Sequence, residues 1–302
     1  MTPATPLRIA SVTKPWVAAT LLRLAEQTGT SLDALLGPLL PERSRQALLE
    51  GGFALDAITM RQVLSHTAGL PSHSSSLYYK GISFLFRGWE WSAADQVRLM
   101  ARAGGPLARP GERYRYSDTG YVLLGQVVET LSGKPLHAAV REQVDYRAIG
   151  LSETWWDHFE QPPAGSLPRA RQFLSGWDVS GLNATRDLYG GGGLVASTRD
   201  MARFFAALFS PAKQGGQVLR NPALLNEMLS AERLPERSAY RLGVRVGDIR
   251  GATVYRHEGI WGTLAIFLPE QDIAIGVAVT EREAIPAMHQ AVAELIAALT
   301  AY

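Results

Sequence analysis

The chain lacks cysteine, long apolar runs and a strong excess of one charge. Without cysteine it can form neither disulfide bonds nor a thiol nucleophile, although this absence does not identify the compartment. No run of about 18 apolar residues occurs, so we predict no membrane-spanning segment. The 30 basic and 28 acidic residues are interleaved along the sequence, and the net charge of +2 therefore does not indicate a nucleic-acid partner.

Signals for targeting, metal binding and phosphate binding are also missing. Residues 1–8 contain no apolar signal-peptide region, so we expect a cytoplasmic protein for the chain as given, and a periplasmic or secreted one if its N-terminus is truncated. The histidines show no metal-ligand spacing, and the glycine run 190–193 lacks the pattern of a phosphate loop. We therefore expect no metal or cofactor. The glycine run 190–193 is expected to let the backbone pass close to another group.

A serine and a lysine stand three residues apart at the start of a long apolar helix. The run 16–25 is apolar almost all round, which is typical of a buried helix, and Ser11 is a suitable N-cap residue for it. Residues i and i+3 share a helix face, so Ser11 and Lys14 should lie side by side. A lysine with a lowered pKa can take the proton of a serine hydroxyl and make it a nucleophile. The S-x-x-K pattern alone is weak, since Ser210–Lys213 also matches it and is predicted to be a solvated loop.

Two further motifs place polar groups at the ends of predicted elements. Tyr116 precedes a predicted helix; a phenol near an ammonium can be driven toward phenolate and relay protons, and the alternative is a tyrosine that only packs. His257 ends a predicted strand, where it is either catalytic or structural. Gly259 would let a ligand approach the backbone, and the N–H groups of Ile260 and Ser11 could together hold an oxyanion.

Periodicity and capping signals divide the chain into a helical middle and a strand-rich end. Helices are predicted at 11–25, 60–66, 96–103, 118–132, after Pro135 and at 201–209, and strands at 241–246, 253–257, 263–268 and 273–279. The strands should form an antiparallel meander covered by a final helix, residues 285–299. Residues 72–91 are aromatic and aperiodic, which fits either a loop over a pocket or packed side chains.

These motifs, in this order and with helical stretches between them, resemble the serine β-lactamase and penicillin-binding-protein-like superfamily. The resemblance is specifically to its class C β-lactamase-like serine hydrolases, in the esterase and D-aminopeptidase branch. Ser11–Lys14 matches the family's S-x-x-K, Tyr116–Asp118 its Y-x-N, and His257–Gly259 the position of K-T-G or H-x-G. The turn 64–71 and the segment 191–197 match as well, so the resemblance covers nearly the whole chain.

The resemblance implies an α/β (α+β) fold in which an antiparallel sheet is flanked by helices and interrupted by an inserted, mostly helical domain. We expect residues 1–25 and 200–302 to form the sheet domain, which carries the nucleophile helix and the C-terminal strands. Residues 26–199 would form the inserted domain, and the site would lie in the cleft between the two.

The implied activity is that of a serine hydrolase that forms an acyl-enzyme on a small ester or amide, as an esterase, a D-amino-acid-type peptidase or a weak β-lactamase. The expected catalytic residues are Ser11, Lys14, Tyr116 and His257. The expected substrate contacts are Asp118, Gly259 and Trp261. An acyltransferase would use the same acyl-enzyme with a different acceptor. A catalytically inactive binding or scaffold protein of the same fold is the third alternative.

Three departures from the family pattern affect this interpretation. Asp118 stands where the family has asparagine, and its carboxylate could pair with Lys14, weaken it as a base and leave more of that role to Tyr116. His257 replaces a lysine that would hold a carboxylate, which favours short esters or D-amino-acid-type amides over penicillins. Only ten residues precede Ser11, where relatives have two strands. Either the N-terminus is truncated or its start is misassigned, or a sheet edge is left open or covered by a partner, which would allow a homo-oligomer to form.

Overall fold

The computed structural model describes residues 1–210, 218–235 and 238–301. The helices in this part of the chain are α1 Lys14–Thr28, α2 Glu42–Glu50, α3 Met60–Leu64, α4 Leu77–Leu85, α5 Ala93–Ala101, α6 Asp118–Ser132, α7 Leu136–Val144, α8 Thr198–Phe209, α9 Pro222–Leu229 and α10 Ile285–Thr300. The strands are β1 Pro6–Arg8, β2 Trp155–Trp156, β3 Phe173–Leu174, β4 Trp177–Asp178, β5 Leu194–Ser197, β6 Arg245–Ile249, β7 Ala252–Gly259, β8 Thr263–Leu268 and β9 Ile273–Ala278. Lys213, which completes the second S-x-x-K pattern, lies outside the described residues.

Two antiparallel sheets position the N-terminal and C-terminal segments. Strands β6, β7, β8 and β9 pair in sequence order, so the predicted meander is confirmed. The other sheet has the order β1-β5-β2 and pairs the segment just before Ser11 with Leu194–Ser197. Strands β3 and β4 form a separate hairpin. The mixed fold of helices and antiparallel sheet expected from the resemblance is therefore confirmed.

Strand β8 is buried on both faces, which explains the continuous apolar run that follows Thr263. Ala265 and Phe267 belong to the main core, together with side chains of α1 and α8. The opposite face of the sheet packs against α10, and this cluster contains Val254, Leu264, Ile266, Leu268, Met288, Val292 and Ile296. The predicted helix over 285–299 therefore covers the sheet as expected.

Helix α1 is buried along most of its length and fixes the position of Lys14, its first residue. Trp16 stacks on Phe204 of α8 with ring centroids 3.5 Å apart, which joins α1 to the helix that packs on the sheet. The helix ends at Gly29, whose φ of 68° is a conformation that glycine adopts readily. On another side α1 contacts α6 and α7.

Helix α6 begins just after Tyr116 and gives that residue a rigid neighbour. The Ser117 side chain accepts a hydrogen bond from the Gly120 N–H and caps the helix. Gly133, with φ of 66°, ends it as predicted. The glycine run also packs closely here, since a Cβ on Gly190 would lie 2.3 Å from the Tyr121 carbonyl oxygen.

Several elements differ from the sequence-based expectation. Residues 77–85 form α4, which begins where the Ser76 side chain accepts a hydrogen bond from the Tyr79 N–H. The first strand of the meander starts at Arg245 rather than 241, because Gly243 turns the chain with a φ of 87°. Helices α2 and α9 were not predicted, and neither was β5.

One edge of the four-stranded sheet is β9, within the part of the chain that the structure describes. Such an edge presents unpaired backbone groups, and the homo-oligomer expected to form through it stays a prediction. The division into two domains also stays a prediction. Among the described residues, no helix is both long enough and apolar enough to cross a membrane.

Candidate active site

Ser11 lies in a 3-10 turn, Ala10–Thr13, that leads directly into α1. The expectation that Ser11 is the N-cap is wrong, because Thr13 holds that position and makes no side-chain capping bond. Ala10 has a φ of 47°, in the left-handed region that residues with a side chain rarely adopt. The Nζ atom of Lys14 lies 3.0 Å from Ser11 Oγ, so the two residues are side by side as predicted.

Lys14 is completely buried, and its ammonium has three acceptors. Nζ lies 3.0 Å from Ser11 Oγ, 2.8 Å from Asp118 Oδ1 and 2.6 Å from the Gly191 carbonyl oxygen. Burial lowers the pKa of Lys14, and the charge and hydrogen bond of Asp118 oppose this without reversing it. A lowered pKa favours the neutral amine, which is the form that can accept a proton from Ser11.

Asp118 connects Lys14 to a serine-rich segment. While Oδ1 pairs with Lys14, Oδ2 accepts hydrogen bonds from Ser74 Oγ at 2.6 Å and from Ser72 Oγ at 3.3 Å. Burial alone would raise the pKa of Asp118, but the charge of Lys14 and the hydrogen bonds from Lys14 and Ser74 lower it overall. The ion pair expected from the sequence is therefore formed, and both carboxylate oxygens of Asp118 have partners.

Tyr116 lies beside Lys14, whose Nζ is 4.9 Å from the centre of the phenol ring. Burial raises the pKa of Tyr116 well above its usual value, Asp118 raises it further, and a hydrogen bond with Ser11 acts in the opposite direction. The expectation that Tyr116 is driven toward phenolate is therefore wrong for this arrangement. A neutral phenol can still donate a proton, or pass one between neighbouring groups.

His257 is 4% exposed, and both of its ring nitrogens have partners. Nδ1 lies 3.1 Å from the Glu258 carbonyl oxygen, which can only accept, so Nδ1 carries the proton. Nε2 then accepts a hydrogen bond from the Tyr240 hydroxyl across 2.9 Å. Burial and the positive charge of Lys14 lower the pKa of His257 to about 3. The side chain is thus neutral and fully bonded, and this geometry favours the structural alternative over the catalytic role expected for His257.

The backbone groups expected to hold an oxyanion both line a cleft of about 430 Å³. The first backbone hydrogen bond of the 3-10 turn runs from the Val12 N–H to the Ile9 carbonyl, so the Ser11 N–H precedes it. Ile260 follows the last residue of β7 and lines the same cleft as Ser11. This arrangement is compatible with two N–H donors on either side of one reacting carbonyl, which stays a prediction.

Gly259 has a different environment from the predicted one. A Cβ at this position would lie 2.3 Å from the Ile9 carbonyl oxygen and 2.2 Å from Thr263 Oγ1. The group that approaches Gly259 is therefore the chain just before Ser11, and not a ligand in the open cleft. The Thr263 hydroxyl also donates to the Ile9 carbonyl at 2.9 Å. Gly259 thus allows the end of β7, with Ile260, to pack against the Ser11 turn.

Trp261 is also placed differently from the prediction of a substrate contact. The side chain is 3% exposed, and its indole Nε1 donates to Asp187 Oδ2 across 2.6 Å. Asp187 lines the cleft together with the adjacent Arg186 and Leu188. Trp261 therefore supports a wall of the cleft from behind.

The aromatic stretch 72–91 fits both of the alternatives offered by its sequence. His73, Ser74 and Lys80 line the cleft, so the stretch does form a wall of the pocket. Two of its aromatic side chains are packed instead, since Tyr79 is 1% and Trp91 is 5% exposed. The difference from expectation is that a helix, α4, builds this wall.

A family match accounts for this arrangement. The sequence matches the family described as Beta-lactamase over residues 1–299. The chain belongs to the beta-lactamase family. The membership expected from the three motifs is therefore confirmed, and the match extends across both the helical middle and the C-terminal sheet.

Several relatives of this beta-lactamase-family chain have the names of hydrolases. Esterase EstB of Burkholderia gladioli is 38% identical over 182 residues, which are 57% of this chain and 45% of the relative. Unguisins hydrolase ungD' of Aspergillus campestris is 25% identical over 300 residues, 91% of this chain and 52% of the relative. The chain thus spans about half the length of these two relatives. A solved D-stereospecific amidohydrolase from Streptomyces sp. has a TM-score of 0.79, with 25% identity, over 92% of this chain and 83% of that one.

The beta-lactamase-family site also contains residues that sequence reasoning did not single out. Ser72 and Ser74 bond to Asp118, and their only signal was the serine-rich composition after Pro71. Tyr240 bonds to His257 from outside every motif, so no local signal could have found it. Among the described residues, no group of three or more His, Asp or Glu side chains is placed to hold a metal ion.

Proposed function

We propose that this chain is a serine hydrolase that cleaves small esters or amides through an acyl-enzyme on Ser11. The observation that carries the proposal is the 3.0 Å contact between Ser11 Oγ and the Nζ of fully buried Lys14. Burial lowers the pKa of Lys14, which is what a general base for a serine hydroxyl requires. The names of the relatives, an esterase, a hydrolase and an amidohydrolase, support the same class of reaction.

Acylation uses four residues of the site. Ser11 Oγ attacks the substrate carbonyl carbon while its proton passes to the neutral amine of Lys14. The N–H groups of Ser11 and Ile260 stabilise the oxyanion that forms. As the carbonyl–oxygen or carbonyl–nitrogen bond breaks, Tyr116 donates its phenol proton to the leaving group and regains a proton from the Lys14 ammonium. The products are acylated Ser11 and a free alcohol or amine.

Deacylation runs the same proton path in reverse. Water attacks the acyl carbon, its proton passes through Tyr116 and Lys14, and Ser11 Oγ leaves as it recovers a proton. The product is a carboxylic acid, and the site returns to its starting state. If an alcohol or amine takes the place of water, the same acyl-enzyme gives acyl transfer.

The proposal is tested with a p-nitrophenyl ester, by release of p-nitrophenol and by intact-protein mass, for wild type, Ser11→Ala and Ser75→Ala. Ser75 lines the same cleft and is exposed, so its variant controls for loss of a serine hydroxyl there. Turnover or an acyl adduct that requires Ser11 but not Ser75 would support the proposal. Equal release by folded Ser11→Ala protein would overturn it and favour the binding or scaffold alternative. Products formed with added methanol distinguish acyl transfer from hydrolysis.

A further inference from the structure

The wall of the cleft contains an arginine without an ion pair. Arg186 ends the 3-10 turn Ala184–Arg186 and lines the cleft that contains Ser11. None of the ion pairs among the described residues includes Arg186. In the same part of the chain, its Nε and Nη1 atoms are buried and have no hydrogen-bond partner. Lys14, by contrast, is paired with Asp118.

Two aromatic rings cover the guanidinium group of Arg186. Its Cζ atom is 4.9 Å from the ring centre of Phe84 on α4 and 5.2 Å from that of Trp261. Stacking uses the faces of the planar group, whereas its N–H donors point outward in the plane. The rings therefore hold Arg186 in place without satisfying its donors, and buried donors without partners are rare in folded proteins.

The nearest carboxylate in sequence does not neutralise this cation. Asp187 Oδ2 accepts a hydrogen bond from Trp261 Nε1 at 2.6 Å. Trp261 thus contacts Arg186 through its ring and Asp187 through its N–H. The indole bonds one oxygen of the carboxylate, and among the described residues no ion pair joins Asp187 to Arg186. Since Nε and Nη1 are buried, an anion in the cleft meets the part of the guanidinium that is not buried.

The charge of Arg186 acts on side chains inside the cleft. Burial is the largest influence on the pKa of His73 and of Tyr79; the negative charge of Asp187 raises both pKa values, and the positive charge of Arg186 lowers both. His73 and Tyr79 line the cleft. An anionic group bound there would therefore feel both charges, and Arg186 attracts it only where it lies closer to the guanidinium than to Asp187.

We propose that Arg186 binds a carboxylate of the substrate, so that the preferred substrates are esters or amides that carry a second, anionic group. This inference rests on the proposed hydrolase function and names the substrate class of the same site. It changes the expectation drawn from His257, because the cleft has a cation at a different position. The carboxylate belongs either to the acyl part or to the leaving group, and separate substrates distinguish these.

The kinetic test measures how strongly the enzyme prefers an anionic ester over a matched neutral one. The first pair is p-nitrophenyl succinate against p-nitrophenyl butyrate, and the second is 4-carboxyphenyl acetate against 4-carbamoylphenyl acetate. Arg186→Gln should lower the kcat/KM ratio of one pair by about tenfold or more, as expected for loss of a hydrogen bond to a charged group. A proportional loss on both members of each pair would indicate a structural role only and would overturn the proposal.

Two further variants keep the test informative. Lys80 is an exposed lysine in the cleft wall, so Lys80→Gln should change the ratio by less than about threefold at physiological salt. A larger effect from Lys80 than from Arg186 would overturn the proposal by placing the anion on α4. If Arg186→Gln does not fold, Arg186→Lys keeps the charge without the planar fork and should lower the ratio by a smaller factor; an unchanged ratio would count against the proposal.

A binding experiment separates failure of this inference from failure of the hydrolase proposal. Monomethyl succinate, with the carboxylate in the acyl part, and 4-carboxyphenyl acetate, with the carboxylate in the leaving group, are each titrated by calorimetry into the Ser11→Ala protein and into Ser11→Ala/Arg186→Gln. Saturable binding of either ligand that requires Arg186 would support the anion site even if no ester is hydrolysed. For both ligands, equal binding to the two proteins, or binding to neither, would overturn it whatever the ester kinetics show.

Discussion

Asp118 forms an ion pair with Lys14 across 2.8 Å and joins the first residue of α6 to the first residue of α1. The Lys14 side chain is fully buried and that of Asp118 is 24% exposed, so solvent reaches the pair only from the carboxylate side. Removing one member of such a pair leaves the other charge uncompensated. The protonation of Lys14, and with it the activation of Ser11, therefore depends on Asp118.

Asp118→Asn should shift the acidic limb of the kcat/KM pH profile to lower pH. Burial lowers the pKa of Lys14 and Asp118 opposes that effect, so loss of the carboxylate lowers the pKa further. Lys14 must be neutral to accept the Ser11 proton, and the rate therefore rises with pH through its pKa. We expect a shift of about one pH unit or more, measured with a p-nitrophenyl ester.

The matched control for that shift is Asp33→Asn. The substitution Asp33→Asn also removes ion pairs, those with Arg61 and Arg233. Asp33 is, however, not among the residues that line the Ser11 cleft. Its variant should keep the wild-type pH profile. An Asp118→Asn profile that stays in place, or moves to higher pH, would contradict the assignment of Lys14 as the base.

Tyr116→Phe should slow the release of poor leaving groups more than that of good ones. The pKa of Tyr116 is raised, mainly by burial, so the side chain is a proton donor rather than a standing base. A p-nitrophenolate leaves without a proton, whereas an alkoxide needs one. The rate ratio between p-nitrophenyl and ethyl esters of one acid should rise by about 100-fold or more. Tyr114→Phe, which removes a hydroxyl bonded to Arg245, is the control, and a uniform loss in Tyr116→Phe would exclude the donor role.

Local sequence signals were sufficient for the elements that carry the catalytic pair and the sheet. The spacing of Ser11 and Lys14 predicted their contact, which the structure has at 3.0 Å. The run 263–268 was predicted as a strand with the bounds that the structure gives to β8. The helix predicted over 118–132 has the bounds of α6. In each case the determining interactions lie within a few residues along the chain.

The predictions that failed depend on contacts between distant segments. Gly259 is close to Ile9, and His257 is bonded to Tyr240 from another element. No pattern near those residues in the sequence contains this information. The state of Tyr116 was also misjudged, because burial decides the direction of its pKa and burial follows from the whole fold.

The segment around α4 shows a different limit. Its sequence is aromatic and aperiodic because the helix has two environments, with Tyr79 at 1% exposure and the adjacent Tyr78 at 62%. An amphipathic period requires one apolar face and one polar face. Here apolar side chains lie on the exposed face as well, so the helical period was not visible.

His257→Asn should make the protein less sensitive to acid. The pKa of His257 is about 3 in the folded protein, against an ordinary value of 6.5 in the unfolded chain. Between these values the unfolded chain binds a proton that the folded protein does not, so the free energy of unfolding falls as pH falls from 6.5 to 3. This residue accounts for at most about 5 kcal/mol of that loss. Asparagine can make similar hydrogen bonds without titrating.

Urea unfolding at neutral pH and at mildly acidic pH measures this difference. The buried His66 and His73 also have lowered pKa values, so the variant should still lose stability in acid, but by less than wild type. His158→Asn is the control, at an exposed position whose φ of 74° suits asparagine. If His257→Asn and His158→Asn lose the same free energy on acidification, His257 is not buried in its neutral form.

Gly259→Ala should reduce both stability and turnover, because its Cβ would lie 2.3 Å from the Ile9 carbonyl oxygen and 2.2 Å from Thr263 Oγ1. Relief of these contacts requires the end of β7 to move away from the Ser11 turn, at a cost of about 1–3 kcal/mol in the free energy of unfolding. Gly247→Ala on β6 is the matched control, since its Cβ would have no atom within 4 Å. Urea unfolding and p-nitrophenyl ester hydrolysis measure the two effects. If the two alanine variants are equally stable and equally active, contact with Ile9 does not position Ile260 beside Ser11.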